Sequence, residues 1–188
     1  MIPFKVPMDR IGVIIGKDGK VKKNIEEITH TKIVIDGATG TVQINRNEEE
    51  NTNIGDWIAH NIIKAIARGF NPKIASKLTD EEYLIEIIDL EDIIGRNKKN
   101  IQRVKARLIG ESGKTWKNIE NLADVNISIY GNSLGIIGKY EELKIAREAV
   151  QKLISGQKHS TVYKFLRKKH NELKKKYMTE IWKPYSEF

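Results

Sequence analysis

Apolar residues recur along this chain with two alternating periods, and both halves of the chain show these periods in the same order. Asp9 is predicted to cap the first helix, and the acidic, asparagine-rich stretch 47–53 is predicted to be a loop. The predicted elements of the first half are a strand at 4–7, a brief helix ending at 15, a helix after 19, strands at 31–35 and 41–46, and an amphipathic helix at 54–66.

The second half repeats this order with one difference in length. Between the first strand and the turn before the next helix it has about 12 additional residues, near 90–104, which we interpret as an extra or lengthened helix. The predicted elements are a strand at 83–88, a helix at 114–122, a strand on which Val125, Ile127 and Ile129 alternate, a returning strand at 133–137, and a closing helix from Tyr140 to Leu153.

The repeat divides the chain into two similar domains and a tail. The predicted bounds are 1–72 and 83–156 for the domains, 73–82 for a linker, and 157–188 for the tail. A cap at Ser160 or Thr161 would start a tail helix whose remaining surface is rich in lysine. This helix either docks on the second domain only, or docks there and also contacts phosphates with its basic face. Its predicted apolar stripe is Val162, Leu166, Leu173, Tyr177 and Ile181.

Each domain contains a Gly-x-x-Gly turn between its first two helices. The turns are Gly16-Lys17-Asp18-Gly19 and Gly110-Glu111-Ser112-Gly113, and their first glycines lie 94 positions apart (110 − 16). Glycine at a helix start costs about 1 kcal/mol relative to alanine, so its recurrence indicates a backbone geometry that requires it. Glycines also let a backbone approach a ligand closely, and we expect that ligand to be a phosphate backbone.

Charge favours a polyanionic partner. The net charge is +8, with a pI near 9.5, and the excess lies mainly in residues 155–188, which carry 9 basic and 3 acidic side chains. The middle of the chain, residues 76–154, is neutral overall, but a local basic run leads into the second Gly-x-x-Gly turn. That run comprises Arg96, Lys98, Lys99, Arg103, Lys105 and Arg107.

Other features of the composition exclude several kinds of chemistry. The chain has no cysteine, which excludes disulfides and thiolate-ligated zinc, and its four histidines show no metal-ligand spacing. No apolar run is long enough to span a membrane, and the N-terminus does not read as a signal peptide. We therefore expect a soluble, cytoplasmic protein that needs no metal or cofactor.

The element order around the two turns resembles the K-homology (KH) domain in its eukaryotic-style, type I form, from residue 3 to about residue 155. The implied fold class is α+β: two tandem type I KH domains, each a three-stranded sheet packed by three helices, plus a C-terminal basic helix. A KH domain holds about four nucleotides of single-stranded RNA between its Gly-x-x-Gly loop and the adjoining strand.

A narrower resemblance extends into the tail. The chain is similar to the archaeal form of the Partner-of-Nob family of small-subunit ribosome assembly factors. The segments that carry this resemblance are Arg68-Gly69-Phe70-Asn71-Pro72, Ile109-Gly110-Glu111-Ser112-Gly113-Lys114-Thr115, Asn126-Ile127-Ser128-Ile129-Tyr130-Gly131, Ile136-Ile137-Gly138, and 156–166.

This resemblance implies binding to the 3′ region of small-subunit rRNA or its precursor, within pre-small-subunit particles. It also implies assistance to the PIN-domain endonuclease Nob, which matures that end, with no nuclease activity in the family protein itself. Eukaryotic members have lost the first Gly-x-x-Gly turn, whereas this chain keeps Gly16 and Gly19. That departure implies two RNA-competent domains here.

The RNA-binding residues can be assigned domain by domain. For the first domain they are Ile11, Ile14, Gly16, Lys17, Asp18, Gly19, Lys20, Lys23 and, on the strand side, Val34. For the second domain they are Arg103, Val104, Lys105, Arg107, Leu108, Gly110, Glu111, Ser112, Gly113, Lys114, Lys117 and, as the counterpart of Val34, Ile127.

The two loops differ in charge. Glu111 places a carboxylate where a phosphate would approach, but five cations are predicted to surround it and to outweigh it. We therefore expect both domains to bind RNA and the second, with its basic insertion, to contribute more.

Four alternatives can be compared with this hypothesis. A nucleotide-binding P-loop fails because Leu108 stands where that motif requires its first glycine. A metal nuclease would need a second set of carboxylates beside Asp89, Glu91 and Asp92. A protein-interaction scaffold for an assembly factor or a translation initiation factor stays open, above all for the near-neutral first domain. So does a generic KH protein that acts on other RNAs.

Overall fold

The computed structural model describes residues 3–46 and 54–181. They form two α+β domains, each with one antiparallel three-stranded sheet, followed by a long C-terminal helix. The α+β class with two KH-type units is thereby confirmed. The loop predicted at 47–53 lies outside the described residues.

The first domain places three helices on one face of its sheet. The strand order is β1-β3-β2, and Ile33 pairs with Ile44 in the middle of the β2–β3 ladder. The elements are β1 Phe4–Lys5, α1 Met8–Ile15, α2 Lys20–Thr29, β2 Thr31–Asp36, β3 Thr41–Arg46 and α3 Gly55–Ala67.

The connection between the domains is more structured than the sequence indicated. The predicted linker at 73–82 contains most of a short helix, α4 (Pro72–Ala75), and a 3-10 turn at Ser76–Thr79. Asn71 caps α4, because its side chain accepts a hydrogen bond from the Lys73 amide at 2.9 Å. Ala75 and Leu78 are buried against the first domain, so this segment extends its core.

The second domain repeats the topology and adds one helix. Its strand order is β4-β6-β5, which matches the first sheet. The elements are β4 Tyr83–Asp89, α5 Leu90–Ile94, α6 Lys98–Ile109, α7 Lys114–Ala123, β5 Asn126–Tyr130, β6 Ser133–Lys139 and α8 Tyr140–Ile154.

The inserted residues form helix, as predicted. Helix α1 shifted by 94 positions corresponds to residues 102–109, so α6 begins four residues earlier than its counterpart and α5 has no counterpart. Asn97 caps α6, with its side-chain oxygen 3.0 Å from the Lys99 amide. The insertion therefore provides an extra helix and an extra turn of α6.

The second sheet is covered on both faces. Leu134 and Ile136 of β6 pack into the second domain, whereas Ile137 belongs to the buried cluster of the first domain together with Phe70. The Ser128 hydroxyl of β5 donates a 3.0 Å hydrogen bond to the Arg68 carbonyl. Residues just after α3 thus pack against the outer face of the second sheet and join the two domains.

Helix α1 makes a second contact between the domains. Arg10 donates hydrogen bonds to the carbonyls of Ile66 (2.8 Å) and Phe70 (3.1 Å), and its guanidinium lies 5.8 Å from the centre of the Tyr130 ring. The Tyr130 hydroxyl donates to the Asp9 carboxylate at 2.6 Å, and this hydrogen bond raises the pKa of the phenol. The prediction that Asp9 caps α1 is wrong: Pro7 occupies the cap position, and no side chain caps this helix.

The tail forms helix α9 (His159–Ile181), which packs on α7 and α8. Val162 and Leu166 are fully buried, and the Tyr177 hydroxyl donates to Glu142 at 2.8 Å. Burial and this hydrogen bond raise the pKa of Tyr177 to about 12. Ser160 and Thr161 are not caps, because the helix begins before them at His159. The side chain of Ile181 lies outside the described residues.

Candidate nucleic-acid interface

The two Gly-x-x-Gly loops have the same backbone conformation. Gly16 has φ 72° and ψ 173°, and Gly110 has φ 72° and ψ 177°. Gly19 and Gly113 have φ values of 73° and 77°, each with a ψ of 10°. The third residue of each loop is also left-handed, with φ 55° at Asp18 and 51° at Ser112. The sequence repeat is therefore a structural repeat down to single dihedral angles.

The first glycine of each loop is required by two constraints. Its φ and ψ lie in a region that is essentially restricted to glycine. In addition, a Cβ at Gly16 would lie 2.4 Å from Val21 Cγ2, and a Cβ at Gly110 would lie 2.2 Å from Thr115 Oγ1. A Cβ at Gly19 or Gly113 would meet nothing within 4 Å. The second glycine therefore provides left-handed backbone on an open surface.

The helix after each loop has an N-terminus that no side chain caps, although its first amide, at Lys20 or Lys114, donates to the Lys17 or Glu111 carbonyl of the loop. Helices α2 and α7 start directly after Gly19 and Gly113, no side chain caps either helix, and neither has an acidic residue in its first turn. The first amides of an α-helix have no partner within the helix and carry a partial positive charge. Uncapped amides beside exposed Lys20 and Lys114 form a suitable cradle for an anion such as phosphate.

Six of the cations assigned from the sequence are exposed and form no ion pair with a residue in the described ranges. They are three lysines in the first domain, and one arginine and two lysines in the second. Asp18, Glu111 and Ser112 are exposed as well, so each loop carries one carboxylate. The six cations are Lys17, Lys20, Lys23, Arg103, Lys114 and Lys117.

The other two assigned cations are held by backbone carbonyls. Lys105 Nζ donates to the Gly131 carbonyl at 2.6 Å. Arg107 donates to the Leu153 carbonyl at 2.9 Å and to the Gln157 carbonyl. The assignment of Arg107 to RNA is therefore corrected: its guanidinium connects α6 to the end of α8 and the start of the tail. Each loop retains three exposed cations, so charge close to the loops does not favour the second domain.

The cations of the insertion lie away from the second loop. Arg96, Lys98 and Lys99 are at the start of α6, about 17 Å from its other end at Ile109 for a rise of 1.5 Å per residue. They are exposed. They can reach only nucleotides well beyond those held at Gly110.

The apolar residues assigned to the grooves are mostly core residues. Five of the six assigned residues have almost no exposed surface and therefore cannot touch a base. Their assignment to RNA is corrected: they pack in the cores beneath the loops. The five residues, with at most 7% of their surface exposed, are Ile11, Ile14, Val104, Leu108 and Ile127.

The pairing of Val34 with Ile127 is also wrong by one residue. The Ile33 amide donates to Glu26 at 2.7 Å and the Ile127 amide donates to Glu120 at 2.8 Å, so these two isoleucines are the counterparts. Val34 is half exposed on the outer face of the first sheet, and its counterpart Ser128 is buried against the first domain. A one-residue slip along a strand exchanges its two faces.

Partly exposed apolar residues beside the loops were missed as groove candidates. Ile15 and Ile109 directly precede the first glycines, and Ile35 and Ile129 follow the buried Ile33 and Ile127 by two positions. Ile15, Ile35 and Ile129 pack on the edge of a core, and all four residues retain some exposed surface. The sequence signal was their position directly before the glycine or at the next inward-facing strand position.

The tail supports the second loop from behind. The Tyr163 hydroxyl donates to Thr115 Oγ1 at 3.1 Å, and a ring nitrogen of His159 lies 3.1 Å from the Arg107 carbonyl. Thr115 in turn lies against Gly110. The first turn of α9 therefore fixes the residues on which the second loop rests.

Replacing Tyr163 with Phe should weaken this support. We expect the free energy of unfolding to fall by about 0.5–1.5 kcal/mol, the usual contribution of one hydrogen bond, measured by urea denaturation. Tyr140→Phe is the control, because Tyr140 is exposed and its hydroxyl has no hydrogen-bond partner in the described chain. Equal stability of the two variants would show that the Tyr163 hydroxyl does not support the loop.

The described residues contain no group of three or more His, Asp or Glu side chains placed to hold a metal ion. The carboxylates weighed as a nuclease site serve local structure, since Asp89 caps α5 at 2.8 Å from the Glu91 amide and Glu91 accepts a hydrogen bond from Asn132. Among the described helices, none is long and apolar enough to cross a membrane.

Two units of this topology, each with a Gly-x-x-Gly loop before an uncapped helix, define a tandem type I KH protein. Comparison with known families agrees. Residues 84–171 match the model for the second domain of PNO1, described as a eukaryotic-type KH domain (KH-domain type I), and residues 2–54 match the general KH domain. The first match extends into α9.

Similar proteins place the chain more narrowly. It is 44% identical to the KH domain-containing protein MJ0443 of Methanocaldococcus jannaschii, over 98% of this chain and 80% of that protein. It is 28% identical to the RNA-binding protein pno1 of Dictyostelium discoideum, over 86% and 68% of the two chains. The chain belongs to the archaeal PNO1-like family of KH-domain proteins.

Solved structures agree with this family. The crystal structure of Dim2p from Pyrococcus horikoshii has a TM-score of 0.83 and 41% identity, covering 89% of this chain and 98% of that chain. A chain in the a/eIF2alpha-aDim2p-rRNA complex from the same organism has a TM-score of 0.85 and 40% identity, covering 91% and 94%.

Proposed function

We propose that this protein is a non-catalytic RNA-binding protein of small ribosomal subunit biogenesis. It binds the single-stranded 3′ region of small-subunit rRNA or its precursor through its KH grooves and assists maturation of that end. The names of its relatives support this proposal, since a Candida glabrata protein 27% identical to the chain is a pre-rRNA-processing protein, and the Pyrococcus complex contains rRNA.

One observation carries the proposal. Both loops place left-handed backbone in front of an uncapped helix N-terminus with an exposed lysine directly after the second glycine. A phosphate is the ligand that such amides and cations bind best, and an open groove fits single-stranded RNA better than a duplex. The partly exposed isoleucines at 15, 35, 109 and 129 can receive bases on the same side.

The partners follow from this role. They are rRNA, pre-small-subunit particles and the PIN-domain endonuclease Nob, and the location is cytoplasmic. A translation initiation factor is a further partner, supported by the a/eIF2alpha chain in the complex with the Pyrococcus relative. Catalysis at the 3′ end belongs to the endonuclease, and this chain needs no cofactor.

Binding to a short RNA from the 3′ end of small-subunit rRNA should be tighter than binding to a scrambled RNA of equal composition. The expected preference is at least tenfold and persists at physiological salt. Salt weakens the attraction to phosphates, which is the same for both RNAs, whereas contacts to the bases distinguish the two sequences. Fluorescence anisotropy over a salt series measures both effects. Equal affinity for the two RNAs at every salt concentration would favour the generic KH alternative.

A further inference from the structure

The groove that holds helix α9 on the second domain has a counterpart in the first domain. In the second domain α9 lies between α7 and α8, where Leu173 packs near Leu122 and Lys176 pairs with Glu141 at 3.3 Å. The α8 residues that line this contact are Glu141, Lys144, Ile145 and Glu148. An equivalent groove lies between α2 and α3, because these helices repeat α7 and α8.

The two pairs of helices can be matched residue by residue. Helix α2 matches α7 with a shift of 94. Helix α3 matches α8 with a shift of 87 (146 − 59), because four positions with at most 1% exposure have the same spacing in both. These positions are Ala59, Ile62, Ile63 and Ile66 in α3, and Ala146, Ala149, Val150 and Leu153 in α8.

Only one end of the first groove is filled. Helix α4 and the following 3-10 turn occupy the end near the first loop, where Pro72 and Ser76 face Val21 and Ile66. Helix α4 has 4 residues, whereas α9 has 23. The other end, where Gly55 packs tightly against the Thr29 carbonyl, has no such cover from the described chain.

Three large apolar side chains are exposed at that end. Ile28 is 47% exposed, Ile54 is 54% exposed and Trp57 is 53% exposed. The matched positions are Leu122, which α9 partly covers, and Glu141 and Lys144, which flank α9. The first domain thus has Ile54 and Trp57 at the positions where the second domain has the charged residues Glu141 and Lys144 beside α9.

We propose that this open seat, formed by Ile28, Ile54 and Trp57, binds an amphipathic helix of another protein. The occupant continues the interface that α4 begins and takes the place that α9 has on the second domain. Its contact face is apolar, because Glu141 and Lys144 are replaced here by Ile54 and Trp57. A protein helix fits better than RNA, since the seat itself presents apolar surface and no cation.

A second copy of this chain is a poorer occupant. The face that α9 presents to α8 carries Lys169 and Lys176, and Lys176 pairs with Glu141. On the first domain these lysines would lie against the uncharged positions 54 and 61. Burial of an unpaired charge is unfavourable, so exchange of α9 between two copies is disfavoured.

The test uses the full chain and two purified probes, the PIN-domain endonuclease and the α subunit of the initiation factor. The double variant Ile54→Lys/Trp57→Glu should bind at least one probe tenfold or more weakly than the wild type, measured by isothermal titration calorimetry. Tyr140→Glu is the matched control, because it places a charge at another exposed aromatic site, on the second domain. Circular dichroism confirms the fold of each variant.

A crosslink tests whether the bound helix lies on Trp57. A photoreactive benzoylphenylalanine at position 57 should crosslink to a helical peptide of that probe. Failure of both probes to bind the wild type, equal binding of the variants, or crosslinking to a second copy of the chain would each overturn the proposal. Affinity for rRNA should not change in the double variant. A loss there would identify the surface as part of the RNA site and would equally overturn it.

Discussion

Replacing Gly113 with Asp should lower the affinity for single-stranded RNA by about 10- to 100-fold, which corresponds to the ~1.5–3 kcal/mol of a charge-assisted hydrogen bond. The new carboxylate would lie at the start of α7, where the uncapped helix N-terminus and Lys114 form the proposed phosphate cradle. The backbone tolerates the change, because Asp adopts left-handed conformations more readily than most residues and a Cβ at this position meets nothing within 4 Å. Fluorescence anisotropy at fixed salt measures the loss.

Gly113→Asn is the matched control, since it has the same shape and backbone preference without the charge. Its affinity should stay within a few-fold of the wild type. If Asp and Asn at position 113 weaken binding equally, the effect is steric and the loop does not approach a phosphate. Gly110 cannot serve this test, because a Cβ there would lie 2.2 Å from Thr115 Oγ1 and would disturb the fold itself.

Gly19→Asp and Gly19→Asn form the same pair in the first domain. Each loop has three exposed cations after Lys105 and Arg107 are assigned to backbone carbonyls. Local charge therefore supports two binding domains of similar strength, and the hypothesis that the second contributes more depends on the insertion and the tail. A larger loss from Gly19→Asp than from Gly113→Asp would contradict that ranking.

The loops could be predicted from the sequence because glycine is so specific. At Gly16 and Gly110 both the dihedral angles and the lack of space require it, and the surrounding apolar spacing gives the helices on either side. The inserted helix could also be predicted locally. About 12 additional residues lie between two recognisable elements, and a helix is a compact way to accommodate them. Local signals of this kind do not depend on the rest of the fold.

The roles of individual side chains could not be predicted, because they depend on contacts far away in sequence. Arg107 reads as a cation beside the loop, yet its partners are carbonyls 46 and 50 positions later. Ile11 and Leu108 read equally well as groove or core, since periodicity gives the face of a helix without saying what covers it. Only the packing in the structure shows that Ile11 and Leu108 lie on the core side of their helices.

The interface between the domains had a signal that is clear in retrospect. Strand β6 is buried at six of its seven positions, so it lacks the alternation of a sheet with one wet face. Gly135 makes room for the ring of Phe70, since a Cβ there would lie 2.6 Å from Phe70 Cε2. A near-continuous apolar run with glycine in it indicates a strand that is covered on both sides.

Replacing Phe70 with Ala should therefore be strongly destabilising, at about 3–5 kcal/mol. The Phe70 ring is 2% exposed and fills the space between α3 and the second sheet, which cannot collapse without moving one domain relative to the other. Thermal unfolding should shift down by roughly 6–20 °C, from ~2–4 °C per kcal/mol for a chain of this size. Trp57→Ala is the control, because Trp57 is half exposed and leaves no cavity.

The same variant should separate stability from RNA binding. Each loop rests on its own domain, so the affinity for an RNA of about four nucleotides should persist well below the new unfolding temperature. A longer RNA that contacts both domains gains from their fixed spacing through effective concentration, and this gain should shrink as the interface loosens. If Phe70→Ala weakened the short and the long RNA equally, the two grooves would not act together on one strand, and the packing between the domains would serve stability alone.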